Sequence, residues 1–138
     1  MSGKKLDEIQ IGEHVSVKKT IASQDVIDFA RVTGDLNPIH IDDLAASKSI
    51  FKKRVIHGAL INALFSGVLG MRLPGNDCIY LKQETKFVKP AFIDDTIEAR
   101  VEVLEIDYER KRVVLKTEAI NQHNELVAVG TATVLVNK

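Results

Sequence analysis

The segment from Ala59 to Met71 constrains the fold of this chain more than any other. Apolar residues occupy nearly every side of a helix formed by it, and such a helix is usually buried inside a fold rather than laid on its surface. The pattern predicts a buried helix from about His57 to Arg72, which ends before Pro74-Gly75. Because polar Asn62 and Ser66 interrupt the segment and it is shorter than a bilayer span, we expect no membrane insertion.

Several other segments have the apolar and polar pattern of strands. They are His14 to Ile21, Cys78 to Lys89, Thr96 to Ile106, Lys111 to Asn121 and Leu126 to Val136. Short polar turns separate the later strands, which favours hairpin connections. The chain is therefore predicted to be an α+β protein, an antiparallel sheet wrapped around one long helix. Its length fits a single domain over residues 1–138.

A second helix is predicted to begin with Ser23 as its N-cap and to end at Gly34, a residue that tolerates the left-handed conformation. The stretch 35–40 follows it. Pro38 lacks a backbone donor and restricts the residue before it, so we predict an irregular turn here. The remaining predictions for this region are a short helix over 42–47 and a loop over 50–54.

The charge balance and the cysteine count limit the partners and the compartment. Nineteen acidic residues cancel 19 basic ones, so the phosphate-neutralising interactions that dominate nucleic-acid binding have no obvious source, and we expect no nucleic-acid partner. Cys78 is the only cysteine, which excludes an internal disulfide and gives no sign of an oxidising compartment. The segment from Met1 to Asp7 lacks the apolar run of a signal peptide. We therefore expect a cytoplasmic protein.

Asp35 and His40 are the residues best suited to acid–base chemistry. A carboxylate and an imidazole on a turn stiffened by Pro38 could converge on one water molecule, one group taking a proton from it while the other supplies one to a substrate. On spacing alone a second interpretation stays open, in which Asp35 caps a turn and His40 is an ordinary, partly buried histidine.

A stripe of small and polar residues runs along the predicted buried helix. Gly58, Asn62, Ser66 and Gly70 recur at every fourth position and so share one face. Gly58 lies at the helix N-terminus, where its N–H has no intrahelical acceptor and could hold a carbonyl oxygen that becomes negative during a reaction. The alternative is that the stripe serves only for close packing.

Other chemistry is weakly supported by the pattern. Ser66 lacks the glycine two residues earlier that a nucleophile elbow needs. Cys78 begins a predicted strand, which favours a small buried hydrophobic residue over a nucleophile. His40 with neighbouring acids could suggest a metal site, but no second histidine lies at a ligand spacing on the same element, so no metal is expected. His57 is predicted to support the start of the long helix, with a role near the site left open.

Residues 29–40 are similar to the hydratase signature of the MaoC-like enoyl-CoA hydratases, in particular the small (R)-specific enzymes that feed polyhydroxyalkanoate synthesis. The likeness covers most of the chain. It continues through 55–60, 64–70, 73–75 and 79–81.

This resemblance implies the hot-dog fold and a homodimer whose active sites lie near the interface. It also implies that Asp35 and His40 activate a water molecule and that the Gly58 N–H polarises a thioester carbonyl. Asn37 would orient the pair through its amide, and Ser66 would shape the same cavity.

The implied reaction is the hydration of a trans-2-enoyl-CoA to an (R)-3-hydroxyacyl-CoA, or the reverse dehydration. It needs no metal and no organic cofactor, since coenzyme A belongs to the substrate. One alternative is an acyl-thioesterase, which would usually place a carboxylate on the long helix, where this chain has Asn62 and Ser66. A 3-hydroxyacyl-carrier dehydratase and a non-catalytic acyl-thioester binding module are the others.

Overall fold

The computed structural model describes residues 3–137. Met1 and Ser2, which belong to the N-terminal segment considered above, and Lys138 lie outside the described residues. A 3-10 turn at Leu6–Glu8 precedes the regular elements, which in chain order are β1 (His14–Thr20), α1 (Ser23–Thr33), α2 (Pro38–Ile41), α3 (Asp43–Ser47), α4 (Gly58–Met71), β2 (Cys78–Phe87), β3 (Thr96–Asp107), β4 (Arg112–Ile120) and β5 (Leu126–Val136). Within residues 3–137, no helix has the length and apolar character that crossing a membrane requires.

The five strands form one sheet in the order β1-β3-β4-β5-β2, with every neighbouring pair antiparallel. Alternation along the strands turns one face toward the core. In β3 the buried residues are Ile97, Ala99, Val101 and Val103. Helix α4 packs against this sheet, in contact with β1, β2 and β3. The antiparallel sheet and the helix packed on it agree with the sequence prediction.

Helix α4 is buried along one side only. Its buried residues are Ile61, Phe65, Val68 and Leu69, whose spacing puts them on one face. Ser66 and Gly67, in contrast, are exposed. The predicted buried helix is therefore buried along one side in the single chain, because one sheet face can cover only one side of a helix.

The start of α1 differs by one residue from the prediction. Ala22 is the N-cap, and its N–H donates to Asp25 Oδ2 at 2.9 Å. Ser23 is the first helical residue, and its hydroxyl accepts a hydrogen bond from Arg54 Nη1 at 2.8 Å. Ser23 does not cap the helix because its oxygen is committed to this distant cation. Gly34 ends the helix at φ 79°, in the left-handed conformation as predicted.

The stretch after Gly34 is more regular than predicted. Asn37 caps the single-turn helix α2, its Oδ1 accepting the Ile39 N–H at 3.3 Å, and Pro38 is the first helical residue. Proline suits that position because its fixed φ is already helical and its missing N–H would have had no partner. The prediction of an irregular turn over 35–40 is thus wrong for its second half.

The last two residues of the predicted second strand lie outside β2, which ends at Phe87 rather than at Lys89. The N–H groups of Val88 and Lys89 both donate to the Val127 carbonyl, at 2.7 and 3.2 Å. Two donors on one acceptor break the alternating ladder of an antiparallel pair, so the regular strand stops there.

Candidate active site

His40 lies on α2 and is only 8% exposed. Its Nδ1 is 2.8 Å from the Val55 carbonyl oxygen. Because a carbonyl can only accept, Nδ1 donates this hydrogen bond, and in the neutral ring Nε2 then holds a free lone pair. This tautomer makes Nε2 the atom of His40 that can take a proton.

Arg54 holds the backbone of the same helix. Its Nε donates to the His40 carbonyl at 2.6 Å, and its Nη1 reaches Ser23 at the start of α1. The guanidinium therefore ties α2 to α1 through two hydrogen bonds from an almost buried side chain. Sequence reasoning placed Arg54 in a loop and gave it no part in the site. Its role depends on two contacts with residues distant in the chain.

Asp35 follows Gly34 and is exposed in the single chain. The Asp35 Oδ1 accepts a hydrogen bond from the Asn37 backbone N–H at 3.3 Å. The Asp35 backbone N–H donates to the Thr33 hydroxyl at 3.2 Å. One ligand atom each from Asp35, His40 and His57 lie within 4.8 Å of one another. The predicted approach of Asp35 and His40 is therefore present in the fold, and His57 joins them.

Asn37 contacts the turn that carries both members of the pair through its backbone and through its side-chain amide. Its backbone N–H binds the Asp35 carboxylate, while its side chain caps the helix that carries His40. These contacts position Asp35 and His40 through the backbone of the turn. Asn37 is itself exposed, and the assignment as a substrate-binding residue stays a prediction.

His57 is the N-cap of α4 and is 1% exposed. Its ring stacks on His40 with 3.8 Å between centroids and 23° between planes, and its Nε2 donates to the Asp35 carbonyl at 3.1 Å. Burial lowers the pKa of His57, as does nearby His40 more weakly, against the raising effects of the Asp35 carbonyl and carboxylate. The sequence signal for this residue was a histidine directly before Gly58 at a helix start.

The three grouped side chains do not suit a metal that both histidines would ligate. An imidazole binds a metal in the plane of its ring at about 2.1 Å. The stacked rings of His40 and His57 are inclined by only 23°. A metal ion therefore cannot lie in both ring planes and within bonding distance of both histidines. His57 lies at the start of α4 and His40 on α2, so spacing within one element does not relate them. The absence of a metal stays a prediction.

Gly58 is the first residue of α4, so its N–H has no carbonyl one turn earlier to accept it. A cavity of about 390 Å³ is lined by Gly58 and His40 together with apolar residues that include Ile61, Phe87 and Val127. A Cβ added to Gly58 would lie 3.1 Å from the Phe87 ring. Glycine thus keeps the wall of the cavity open next to an amide donor.

The predicted stripe on α4 separates into different surroundings. Asn62 Oδ1 accepts a hydrogen bond from the Thr85 hydroxyl at 2.6 Å, which joins α4 to β2. Ser66 is exposed and is not among the described residues that line the 390 Å³ cavity. The structure therefore brings Gly58 to the acid–base pair and leaves Ser66 apart from it in the single chain.

Comparison with known proteins identifies the family and the fold. A family profile described as "MaoC like domain" matches residues 8–124. A 3-hydroxybutyryl-CoA dehydratase from Methylorubrum extorquens is 39% identical over 96% of this chain and 83% of its own length. An (R)-specific enoyl-CoA hydratase from Rhodospirillum rubrum is 38% identical over 94% of this chain and 90% of its own. The solved (R)-hydratase from Aeromonas caviae superposes with a TM-score of 0.91 at 34% identity, covering 93% of this chain and 97% of that one.

The fold and the relatives define a hot-dog protein of the hydratase and dehydratase class, an enzyme of the hydro-lyase type. The chain belongs to the MaoC-like family. The predicted fold, family and enzyme class are confirmed.

Proposed function

We propose that this enzyme adds water to the double bond of trans-2-enoyl-CoA thioesters, giving (R)-3-hydroxyacyl-CoA, and catalyses the reverse dehydration. The observation that carries the proposal is the convergence of three groups. Atoms of Asp35 and His40 lie within 4.8 Å of each other, and His40 shares a cavity with Gly58, the first residue of α4. An acid–base pair opposite a free helix N-terminal amide is what conjugate addition to a thioester needs.

In the proposed reaction, water lies between the Asp35 carboxylate and His40 Nε2, and the thioester carbonyl accepts the Gly58 N–H. The water oxygen bonds to C3 while His40 Nε2 takes its proton. The C2=C3 π electrons move toward the thioester oxygen, and the helix N-terminus stabilises the resulting enolate. The Asp35–His40 pair then returns a proton to C2, so that one water adds in total.

The substrate class follows from the cavity and its surroundings. The walls near Gly58 are apolar and suit an acyl chain. Lys89 lines this cavity, and Lys89 and Lys53 both line an adjoining depression of about 470 Å³. Lys89 is paired with Glu125, and Asp95 lies in the same depression, so Lys53 is the lysine of the two that remains to attract an anionic carrier. Several relatives are named as enzymes of coenzyme A esters, which supports this carrier here.

The test is the loss of enoyl absorbance with a panel of trans-2-enoyl-CoA esters and matched acyl-carrier-protein esters, followed by chiral analysis of the product. We expect hydration of the CoA esters to the (R) product. Dialysis against a chelator should leave the rate unchanged, since the proposed chemistry uses only side chains and a backbone N–H. Hydrolysis of the thioester without hydration would favour the acyl-thioesterase alternative, and tight binding without turnover the binding module.

We also propose a homodimer that joins through β2. The two edge strands differ. β1 exposes polar residues such as Ser16 and Lys18, whereas β2 exposes large apolar residues as well as charged ones at 82, 84 and 86. Ile79 is 53% and Phe87 51% exposed. Charged residues protect a sheet edge from pairing, whereas an apolar edge favours it.

Size-exclusion chromatography with light scattering tests this arrangement. We expect about twice the 15.3 kDa of the chain. Ile79→Lys should shift the protein toward monomer, and Ser16→Lys on the opposite edge should not. A wild-type monomer, or equal behaviour of the two variants, would contradict pairing through β2.

A further inference from the structure

His57 contacts both members of the acid–base pair from a buried position. Its Nε2 donates to the Asp35 carbonyl at 3.1 Å, which fixes the backbone of Asp35 relative to the first turn of α4. The two residues are 22 positions apart in the chain. The hydrogen bond is therefore a tertiary link between the catalytic turn and the helix that presents Gly58.

The ring of His57 also fixes His40. The two imidazoles stack with 3.8 Å between centroids, and Phe29 of α1 contacts His57 at 4.9 Å. A side chain packed between other rings in a close-packed interior cannot leave its rotamer cheaply. The orientation of His40 therefore depends on His57 as well as on the Val55 carbonyl.

The hydrogen bonds of His57 define its protonation state. Nε2 must carry a proton to donate to a carbonyl, so Nδ1 holds the lone pair of the neutral ring. Nδ1 is buried and has no hydrogen-bond partner among residues 3–137. A second proton there would be a buried donor without an acceptor, next to His40. The facing groups are the Asp35 carboxylate and His40, with Phe29 contributing no charge.

We propose that His57 is a positioning residue, held as the neutral Nε2–H tautomer, that fixes the Asp35 backbone and the His40 ring relative to Gly58. The proposal rests on the proposed hydratase function. It assigns His57 no contact with substrate, so its effect passes through Asp35 and His40.

Two substitutions separate the contacts of His57. His57→Phe keeps an aromatic ring against His40 and removes the donor to Asp35, while His57→Gln keeps a donor and removes the ring. We expect His57→Phe to lower kcat about 10- to 100-fold, the effect of a small misplacement of catalytic groups, with KM nearly unchanged. His57→Gln should recover part of kcat. The same changes at exposed His14, which lies on β1 and lines neither depression, are the controls and should leave both constants unchanged.

The background of Asp35→Asn tests whether His57 acts through Asp35. If it does, His57→Phe should cost less than about threefold in kcat there, because coupled residues are not additive. A variant that is less stable but keeps wild-type kcat when folded would show a merely structural role. An undiminished loss in the Asp35→Asn background would show that His57 acts independently of Asp35. Either result overturns the proposal.

Nitrogen-15 NMR of the histidine rings in the wild-type protein separates this proposal from the proposed function. We expect His57 to appear as the neutral Nε2–H tautomer at neutral pH. A charged or Nδ1-protonated His57 would overturn the positioning role whether or not the enzyme is active. A protein with the expected tautomer that hydrates no enoyl thioester would instead refute the proposed function.

Discussion

The two ends of α4 border different cavities. At the N-terminal end, Gly58 and His40 share the cavity of about 390 Å³. Toward the C-terminal end, Gly67 and Met71 line a larger one of about 540 Å³ against β1. The larger cavity has Lys19 and Arg72 among its lining residues but no carboxylate or imidazole. The larger of the two cavities is therefore not the one that contains groups able to transfer protons.

What differs is the polar environment of each end. The N-terminus of a helix offers unpaired N–H groups and the positive end of its dipole, and the Gly34–His40 turn brings acid–base groups to it. The C-terminal half offers exposed small residues, Ser66 and Gly67, without a comparable cluster. Substitutions near the N-terminal end should accordingly change the chemical step, and those in the C-terminal half should have small effects.

The largest effect is expected at the acid–base pair. Asp35→Asn and His40→Asn should each lower kcat about 10²- to 10⁴-fold, the range for lost acid–base help. Asparagine at 40 can still donate to the Val55 carbonyl while it lacks the Nε2 base, so the fold should survive. Steady-state hydration kinetics with circular dichroism measure both. Asp28→Asn and His14→Ala are controls, and a folded variant that keeps a tenth of the wild-type rate would remove that residue from the mechanism.

The next largest effect is expected from the amide at the helix start. Gly58→Pro removes the N–H at the first helical position, where proline is well tolerated, while Gly58→Ala keeps the N–H. Both add a Cβ toward the Phe87 ring, so the alanine variant controls for that contact. We expect kcat/KM of the proline variant to be about 10²- to 10³-fold below that of the alanine variant. Equal values in the two variants would argue against Gly58 as the carbonyl donor.

A smaller effect concerns stability at acid pH. Burial lowers the pKa of His57 below its usual 6.5 in the folded protein. As the pH falls below 6.5, the unfolded chain gains a proton that the folded state resists, so stability declines. Thermal unfolding between about pH 7.5 and 5.5 should show a shallower decline for His57→Phe than for wild type. His123→Phe should keep the wild-type slope, and parallel slopes in all three proteins would contradict this account.

The smallest effect is expected at Ser66, eight positions beyond Gly58 on α4 and so about 12 Å along the helix axis. Only a long acyl chain extending in that direction would reach it. Ser66→Val should raise KM a few-fold for long-chain enoyl thioesters and leave four-carbon substrates unaffected, with a thermal midpoint close to wild type because the residue is exposed. Unchanged kinetics at every chain length would remove Ser66 from the site, and a large loss of stability would indicate a packing role.

Much of the fold was predictable because its signals are local. Alternation along β3 predicts a strand with one buried face, and Gly34 predicts a left-handed helix end because only its own φ is concerned. The predicted end of an element was wrong where a residue distant in the chain determines it. Ser23 has the chemistry of a cap, yet Arg54 binds its oxygen.

For the site, the sequence by itself determined which groups are available: Asp35, His40 and the amide of Gly58 at a helix start. These groups could be predicted because a turn and a helix terminus depend on neighbouring residues and on backbone geometry. Tertiary structure alone decided that His57 stacks on His40 and donates to Asp35, and that Gly58 opens into the cavity while Ser66 does not. These contacts join residues on separate elements, and their distances follow from how α4 packs beneath the Gly34–His40 turn and against one face of the sheet.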